Sequence, residues 1–278
     1  MKLLIVNPGT DIAGCGIALK YAFDRHAPEW TAHHVRRLPS IYDYPTDRPW
    51  SELESLWLEA DLVHVMDDPR ILRELPARPN VFVQYLGSTF RKYRDELLRI
   101  CREYGARQTG SLDLLGPDIE WLPVAFDSAN LQHNGNGQVK IAHAPTDRAL
   151  KSTDLIIEAV GRLPVAFDLI ERVPHRECLD RKAQADIYVD ELTLGYGLNA
   201  IECWAMGIPV VSGMTIGREA LTFEVPWEDA TAATLYDVLL RLVESADQRK
   251  LAADRGKAHV ERYHAPAAVV QRVLELAA

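Results

Sequence analysis

Ala185-Asp-Ile-Tyr-Val-Asp-Glu-Leu-Thr-Leu-Gly-Tyr-Gly-Leu-Asn-Ala-Ile-Glu-Cys-Trp-Ala-Met-Gly-Ile-Pro-Val-Val-Ser212 decides the reading of this chain. A short apolar run over 186–189 predicts a strand, Gly195-Tyr196-Gly197 a turn, and Leu198 to Met206 a helix. Gly207-Ile208-Pro209 ends that helix before a second strand at Pro209 to Ser212. Gly195 and Gly197 let backbone amides approach a ligand closely, and the helix that opens at Leu198 adds unpaired N–H groups and positive potential. Glu202 lies about one turn into the helix. Helical side chains lean toward the N-terminus, so its carboxylate reaches back toward the ligand end, where it is suited to accept from a vicinal diol such as a ribose. The plainer alternative is a carboxylate that faces solvent or helps cap the helix.

Outward from this segment the alternation repeats. On the N-terminal side, Lys2 to Asn7 reads as a strand, followed by a turn at Gly14-Cys15-Gly16 and a helix through Phe23. Helix, strand, short helix, strand and long helix follow at Ser51 to Ala60, Asp61 to Met66, Asp68 to Leu75, Val81 to Leu86 and Thr89 to Tyr104. A strand is expected at Glu120 to Val124. Asp127 to Gly137, with Asn130, Asn134, Gly135 and Asn136, has linker composition. Beyond it, strands at Val139 to Ala142, Val165 to Ile170 and Asp186 to Val189 alternate with helices at Thr153 to Leu163 and His175 to Ala185. The tail from Thr231 is helical, with a break near Tyr263 to Pro266. Alternation of this kind implies parallel sheets covered by helices, and a central linker implies two doubly wound domains, 1–127 and 128–278. The last helix is a candidate to pack back on the first domain.

The segment around Gly195 resembles the nucleotide-sugar site of retaining glycosyltransferases of the GT-B fold, the family four group, in which two glutamates eight positions apart flank a Gly-aromatic-Gly turn. Gly195, Tyr196, Gly197 and Glu202 match, as does Ala205-Met206-Gly207 with Pro209-Val210-Val211, and Leu198, where the helix opens, is a further candidate donor contact. The first glutamate position holds Leu194, and Glu191 or Asp190 is the substitute within reach. Ile141 to Glu158 resembles the strand, loop and helix carrying the family's phosphate-binding cations, here Arg148 and Lys151. Arg offers a planar fork and Lys a point charge to a diphosphate. Gly14 and Gly16 resemble a glycine loop near the donor phosphate, and Tyr85 to Arg91 a segment in which Ser88 faces the cleft; a tight turn and a helix cap explain these two equally well. His143 and His175 also resemble positions near the donor.

Composition narrows the remaining classes. The chain has 278 residues, 47% hydrophobic and 26% charged, with a formal net charge of −9. That charge argues against general coating of nucleic acid, and Arg91, Lys92 and Arg94 are diluted by nearby acids. No apolar run reaches the ~20 residues of a spanning helix, and the N-terminus runs straight into a strand, so a cytoplasmic protein is expected. The four cysteines, Cys15, Cys101, Cys178 and Cys203, include no C-x-x-C pair. Leu19 occupies the third glycine position of a dinucleotide fingerprint, and no P-loop is present. A sugar epimerase of the same architecture explains the Gly195 to Glu202 segment less specifically.

The resemblance implies two Rossmann-like domains facing a central cleft, with the acceptor on the first and a UDP- or GDP-sugar on the second. It implies transfer with retention, without an obligatory metal or cofactor. Arg148, Lys151 and helix amides would stabilise the departing diphosphate while domain closure excludes water. A glycan or lipid-linked precursor is the default acceptor, and a base in DNA a minority alternative. A catalytically degenerate nucleotide-sugar-binding or partner protein is the alternative that Leu194 raises.

Overall fold

The computed structural model describes residues 1–40, 42–129, 131–135 and 137–277. Two compact units result: Met1–Asp127 with Ala265–Ala278, and Ser128–His264. Asn130 and Asn136 of the linker expectation lie outside the described residues.

In the first unit β1 (Lys2–Asn7) leads into α1 (Cys15–His26) and β2 (Thr31–Arg36). Then come α2 (Leu53–Glu59), β3 (Leu62–Met66), β4 (Val81–Tyr85), α3 (Ser88–Glu103), β5 (Arg107–Gly110) and β6 (Glu120–Trp121). Among the described residues the sheet has six strands in the order β2-β1-β3-β4-β5-β6, and every pairing is parallel. β3 and β4 are buried throughout, as a parallel sheet covered on both faces requires. One face packs Val63, Val65 and Val83 against α2 and α3. The other packs Leu3, Ile5 and Phe82 against α1 and the final helix, Pro266–Ala277, through Val269, Val270 and Val273.

The second unit runs β7 (Lys140–His143), α4 (Thr153–Val160), β8 (Ala166–Leu169), α5 (His175–Lys182), β9 (Ile187–Val189), α6 (Leu198–Met206), β10 (Val210–Ser212) and β11 (Glu228–Asp229). It ends with α7 (Leu235–Glu244), α8 (Ala246–His259) and a π-helical turn at Val260–His264. Its five described strands are parallel, in the order β11-β10-β9-β7-β8. Because the chain steps from β7 to β8 on one side and then to β9 on the other, strand order reverses between β7 and β9. Ligands in open α/β sheets bind beyond the strand ends at such a reversal.

Several elements depart from expectation. The helix expected over 68–75 is a 3-10 turn at Pro69–Arg73, started by the Asp68 carboxylate accepting from the Arg70 amide at 3.1 Å. The strand expected over 120–124 stops at Trp121, two residues before Pro123, which has no N–H for a ladder. β2, β5 and β11 carry polar sequences that the apolar pattern does not mark. No described helix is long and apolar enough to cross a membrane.

Candidate functional site

Two loops leave the carboxyl ends of β7 and β9 at the reversal, 144–152 and 190–197. In the first, Asp147 Oδ1 accepts from the Ala149 and Leu150 amides at 2.9 and 3.0 Å, and Ser152 turns the chain into α4 at a positive φ of 54°. The turn presents Lys151 to the second loop. Its ammonium donates to Asp190 Oδ1 at 2.8 Å, and Asp190 Oδ2 accepts from the Gly197 amide, also at 2.8 Å. Asp190 is 0% exposed and Lys151 19%. Burial pushes the Asp190 carboxyl up, but the Lys151 charge and the hydrogen bonds from Lys151 and Gly197 outweigh it and hold the group below its ordinary range. An ammonium has three N–H donors, so this bond leaves donor capacity on Lys151 beside the N-terminus of α6.

Arg148 stands apart from Lys151 in its pairing. It forks onto Glu171, beyond β8, at 2.8 and 2.6 Å, and is half exposed. The two expected phosphate cations are therefore held by different carboxylates.

Glu202 sits deeper than a ligand-facing carboxylate was expected to. It is 1% exposed, its Oε1 lies 2.7 Å from His175 Nε2, and its Oε2 pairs with Lys182, which is 0% exposed. Lys182 also donates to Asn199 Oδ1, and Asn199 Nδ2 donates to the Ala144 carbonyl at 2.9 Å. Desolvation raises the Glu202 carboxyl, yet Lys182 and His175 together hold it below its ordinary range. His175, 28% exposed, is the outermost of the three. The plain solvent-facing alternative for Glu202 is thereby removed.

The glycine amides are also bonded within the protein, contrary to the expectation that they stand open. Gly195 takes a φ of 90°, which only glycine adopts without strain, and its amide donates to the Gly213 carbonyl at 2.9 Å. The Gly197 amide serves Asp190. Leu198 is the first residue of α6; the Ala200 and Ile201 amides both donate to the Gly197 carbonyl, at 3.1 and 3.3 Å, so the amides that precede the helix's own ladder are those of Leu198 and Asn199. Tyr196 turns inward: its ring packs edge-on against Trp204, and its hydroxyl lies 3.0 Å from His259 Nε2 and 2.9 Å from His264 Nε2. Burial, with the neighbouring His264, lowers His259 to about 3.

Glu191 folds back on its own loop. Its carboxylate accepts from the Thr193 amide and hydroxyl and from the Leu194 amide, at 3.2, 3.1 and 2.6 Å. Burial raises its pKa to about 7, against the nearby Lys151 charge. His143 is a strut, not a ligand-facing group. It is fully buried, with Nδ1 on the Val189 carbonyl at 2.8 Å and Nε2 on the Thr153 hydroxyl at 2.9 Å. A carbonyl only accepts, so Nδ1 carries the proton and Nε2 receives the hydroxyl's.

Gly14, Gly16 and Ser88 belong to the first unit. The Asp11 carboxylate accepts from the Gly16 and Ile17 amides at 2.8 and 3.0 Å, which closes the N-terminus of α1 from within. A side chain at Gly14 would meet the Tyr44 ring, and one at Gly16 the Asn7 and His34 side chains. These glycines are thus required by packing, and the loop amides expected near a phosphate are already used. Ser88 is the exposed first residue of α3, whose preceding cap position is Gly87.

Sequence reading missed Lys182 and the pairing of Asp190. A signal existed for the first: His175, Cys178 and Lys182 recur at i, i+3 and i+7 and so share one face of α5. Nothing local distinguishes Asp190 from Glu191 as the partner of Lys151.

No protein-family model and no curated protein sequence matches the chain. Solved structures do. HepE from Anabaena, in complex with UDP and glucose, is similar with a TM-score of 0.74 and 12% identity over 99% of both chains. An α-glucosyltransferase in complex with UDP-glucose and DNA containing an abasic site matches with a TM-score of 0.74 and 9% identity over 100% of this chain and 99% of that one. Sucrose-phosphate synthase from Thermosynechococcus elongatus matches at 0.66 and 12% identity over 99% and 98%. The chain therefore has the GT-B fold, two parallel-sheet α/β domains.

Proposed function

We propose that this protein transfers a sugar from a nucleoside-diphosphate sugar to an acceptor hydroxyl, with the second unit as donor side and the first as acceptor side. The observation that carries this reading is the placement of Lys151. Its ammonium is anchored by a buried carboxylate beside the N-terminus of α6, at the strand-order reversal where the fold offers a ligand site. The solved structures of the same fold that contain UDP or UDP-glucose support a uridine donor, with GDP-sugars the next candidate.

In this reading the diphosphate meets Lys151 and the opening amides of α6, and Arg148 adds a second cation. The ribose diol meets Oε1 of Glu202 together with His175. As the bond between the anomeric carbon and the diphosphate oxygen breaks, negative charge grows on the leaving group. Cations fixed in advance stabilise that charge without reorganising. The acceptor oxygen bonds to the anomeric carbon on the face the diphosphate leaves, giving retention, and its proton passes to the departing phosphate. A glycan or lipid-linked hydroxyl is the acceptor class proposed.

Leu194 favours a second reading, a protein that binds nucleotide sugars without turnover, because a leucine cannot hydrogen-bond a sugar hydroxyl at the position resembling the family's sugar contact. Incubation with UDP-glucose and GDP-mannose, with and without a panel of acceptors, separates the two. Release of nucleoside diphosphate with an α-linked product supports transfer. Saturable binding without release across the panel supports the second reading, and absence of binding contradicts both.

A further inference from the structure

Lys182 is an unusual residue to find fully buried. Taking an ammonium out of water is costly unless its charge and its donors are met, and a lysine that only supported α5 would extend its head to solvent. Here the head points the other way, into the space between α5 and α6, onto Glu202 and Asn199. The groups facing this pair are His175 and Cys178 from α5, Cys203 from α6 and the ring of Tyr188 from β9, whose centroid lies 5.5 Å from Lys182 Nζ. None but Lys182 is a fixed cation. Asn199, the second residue of α6, connects the ammonium to the Ala144 carbonyl in the loop that follows β7.

We propose that Lys182 is a positioning residue for the donor nucleotide: by holding Oε2 of Glu202 it directs Oε1, at His175, toward the ribose diol. The inference rests on the reading of Glu202 and His175 as the ribose contact. A carboxylate has about four lone-pair sites, and the two bonds in place leave Oε1 able to accept one more donor. Without Lys182 the carboxylate keeps only its His175 contact to orient it, and its ionised form is left buried without a fixed counter-charge. The nucleotide then loses the selectivity that a charged acceptor confers on its hydroxyls.

The test uses UDP and GDP with their 2′,3′-dideoxy forms, titrated calorimetrically into wild type, Lys182→Met, Glu202→Gln, the double variant and Lys182→Arg. Wild type is expected to prefer the ribose nucleotide over its dideoxy form by about 10- to 150-fold, the range of one hydrogen bond to a charged group. In Lys182→Met that preference falls below about threefold, while affinity for the dideoxy form changes little. Lys182→Met costs nothing further in the Glu202→Gln background, and Lys182→Arg, which keeps the charge, retains the preference. Equal weakening of both nucleotides in Lys182→Met, or an unchanged preference, overturns the inference while leaving the donor site standing. If wild type binds neither diphosphate, the donor-site reading fails and takes this inference with it. Should Lys182→Met not fold alone, the double variant, which removes both charges, is compared with Glu202→Gln, and any further loss of ribose-nucleotide affinity in the double variant overturns the inference.

Discussion

Lys151 Nζ lies 2.8 Å from Asp190 Oδ1, and the carboxylate that receives it is 0% exposed. This pair joins the loop after β7 to the loop after β9 and gives the proposed phosphate site its one deeply anchored cation. Removing only the lysine leaves a buried carboxylate uncompensated. Lys151→Met is expected to cost about 3–5 kcal/mol in urea unfolding. Lys151→Met with Asp190→Asn removes both charges and recovers most of that loss, yet still fails to bind a nucleoside diphosphate. Recovery of binding along with stability would contradict the role given to Lys151.

Arg148 offers a contrast, because its pair with Glu171 is half exposed and screened by water. Arg148→Ala is expected to leave the unfolding free energy close to that of wild type. Its effect should appear instead in affinity for diphosphate over monophosphate, measured calorimetrically at low salt. A loss of stability larger than that of Lys151→Met would reverse the assignment of the two cations.

Glu191 gives the fold a pH dependence of known sign. Its native pKa of about 7 lies above the ordinary 4.5, so between these values the native state holds a proton that the unfolded state has released. Stability from this group is present at acid pH and lost as pH rises toward 7, by at most about 3 kcal/mol. Urea unfolding at pH 5 and pH 8 should show the loss in wild type and a smaller one in Glu191→Gln. Equal pH dependence in the two proteins would show that Glu191 is not its source.

The Tyr196 hydroxyl is shared by His259 and His264, which are 5% and 2% exposed. Tyr196→Phe keeps the ring against Trp204 but withdraws that hydroxyl from both imidazoles. A destabilisation of about 1–3 kcal/mol is expected, read by thermal unfolding, with nucleotide affinity unchanged because the hydroxyl faces inward. A selective loss of nucleotide affinity would place the hydroxyl at the ligand instead.

The strands β1, β3 and β4 were legible because a strand buried on both faces is a continuous apolar run, as in Leu3 to Val6 and Val81 to Val83. β5 was not, because Arg107-Gln108-Thr109-Gly110 meets its burial through tertiary partners: the Tyr85 hydroxyl donates to Gln108 Oε1 at 2.9 Å. The candidate site divides in the same way. Gly195 and Glu202 are visible as local pattern and Lys151 through the family resemblance, whereas Asp190 on Lys151 and Lys182 on Glu202 lie 39 and 20 residues from their partners. The closure of α1 by Asp11 was hidden for a different reason. A Gly-x-Gly turn before a helix reads identically whether its amides face a ligand or a carboxylate from the chain itself.

Titration of UDP, GDP and their monophosphates into wild type and into Lys151→Met with Asp190→Asn tests the donor site most directly. One diphosphate should bind wild type in the micromolar range and its monophosphate at least about tenfold more weakly, with diphosphate binding abolished in the folded double variant. If no diphosphate binds wild type, or if the double variant binds as tightly, the second unit does not hold a nucleotide at the reversal between β7 and β9.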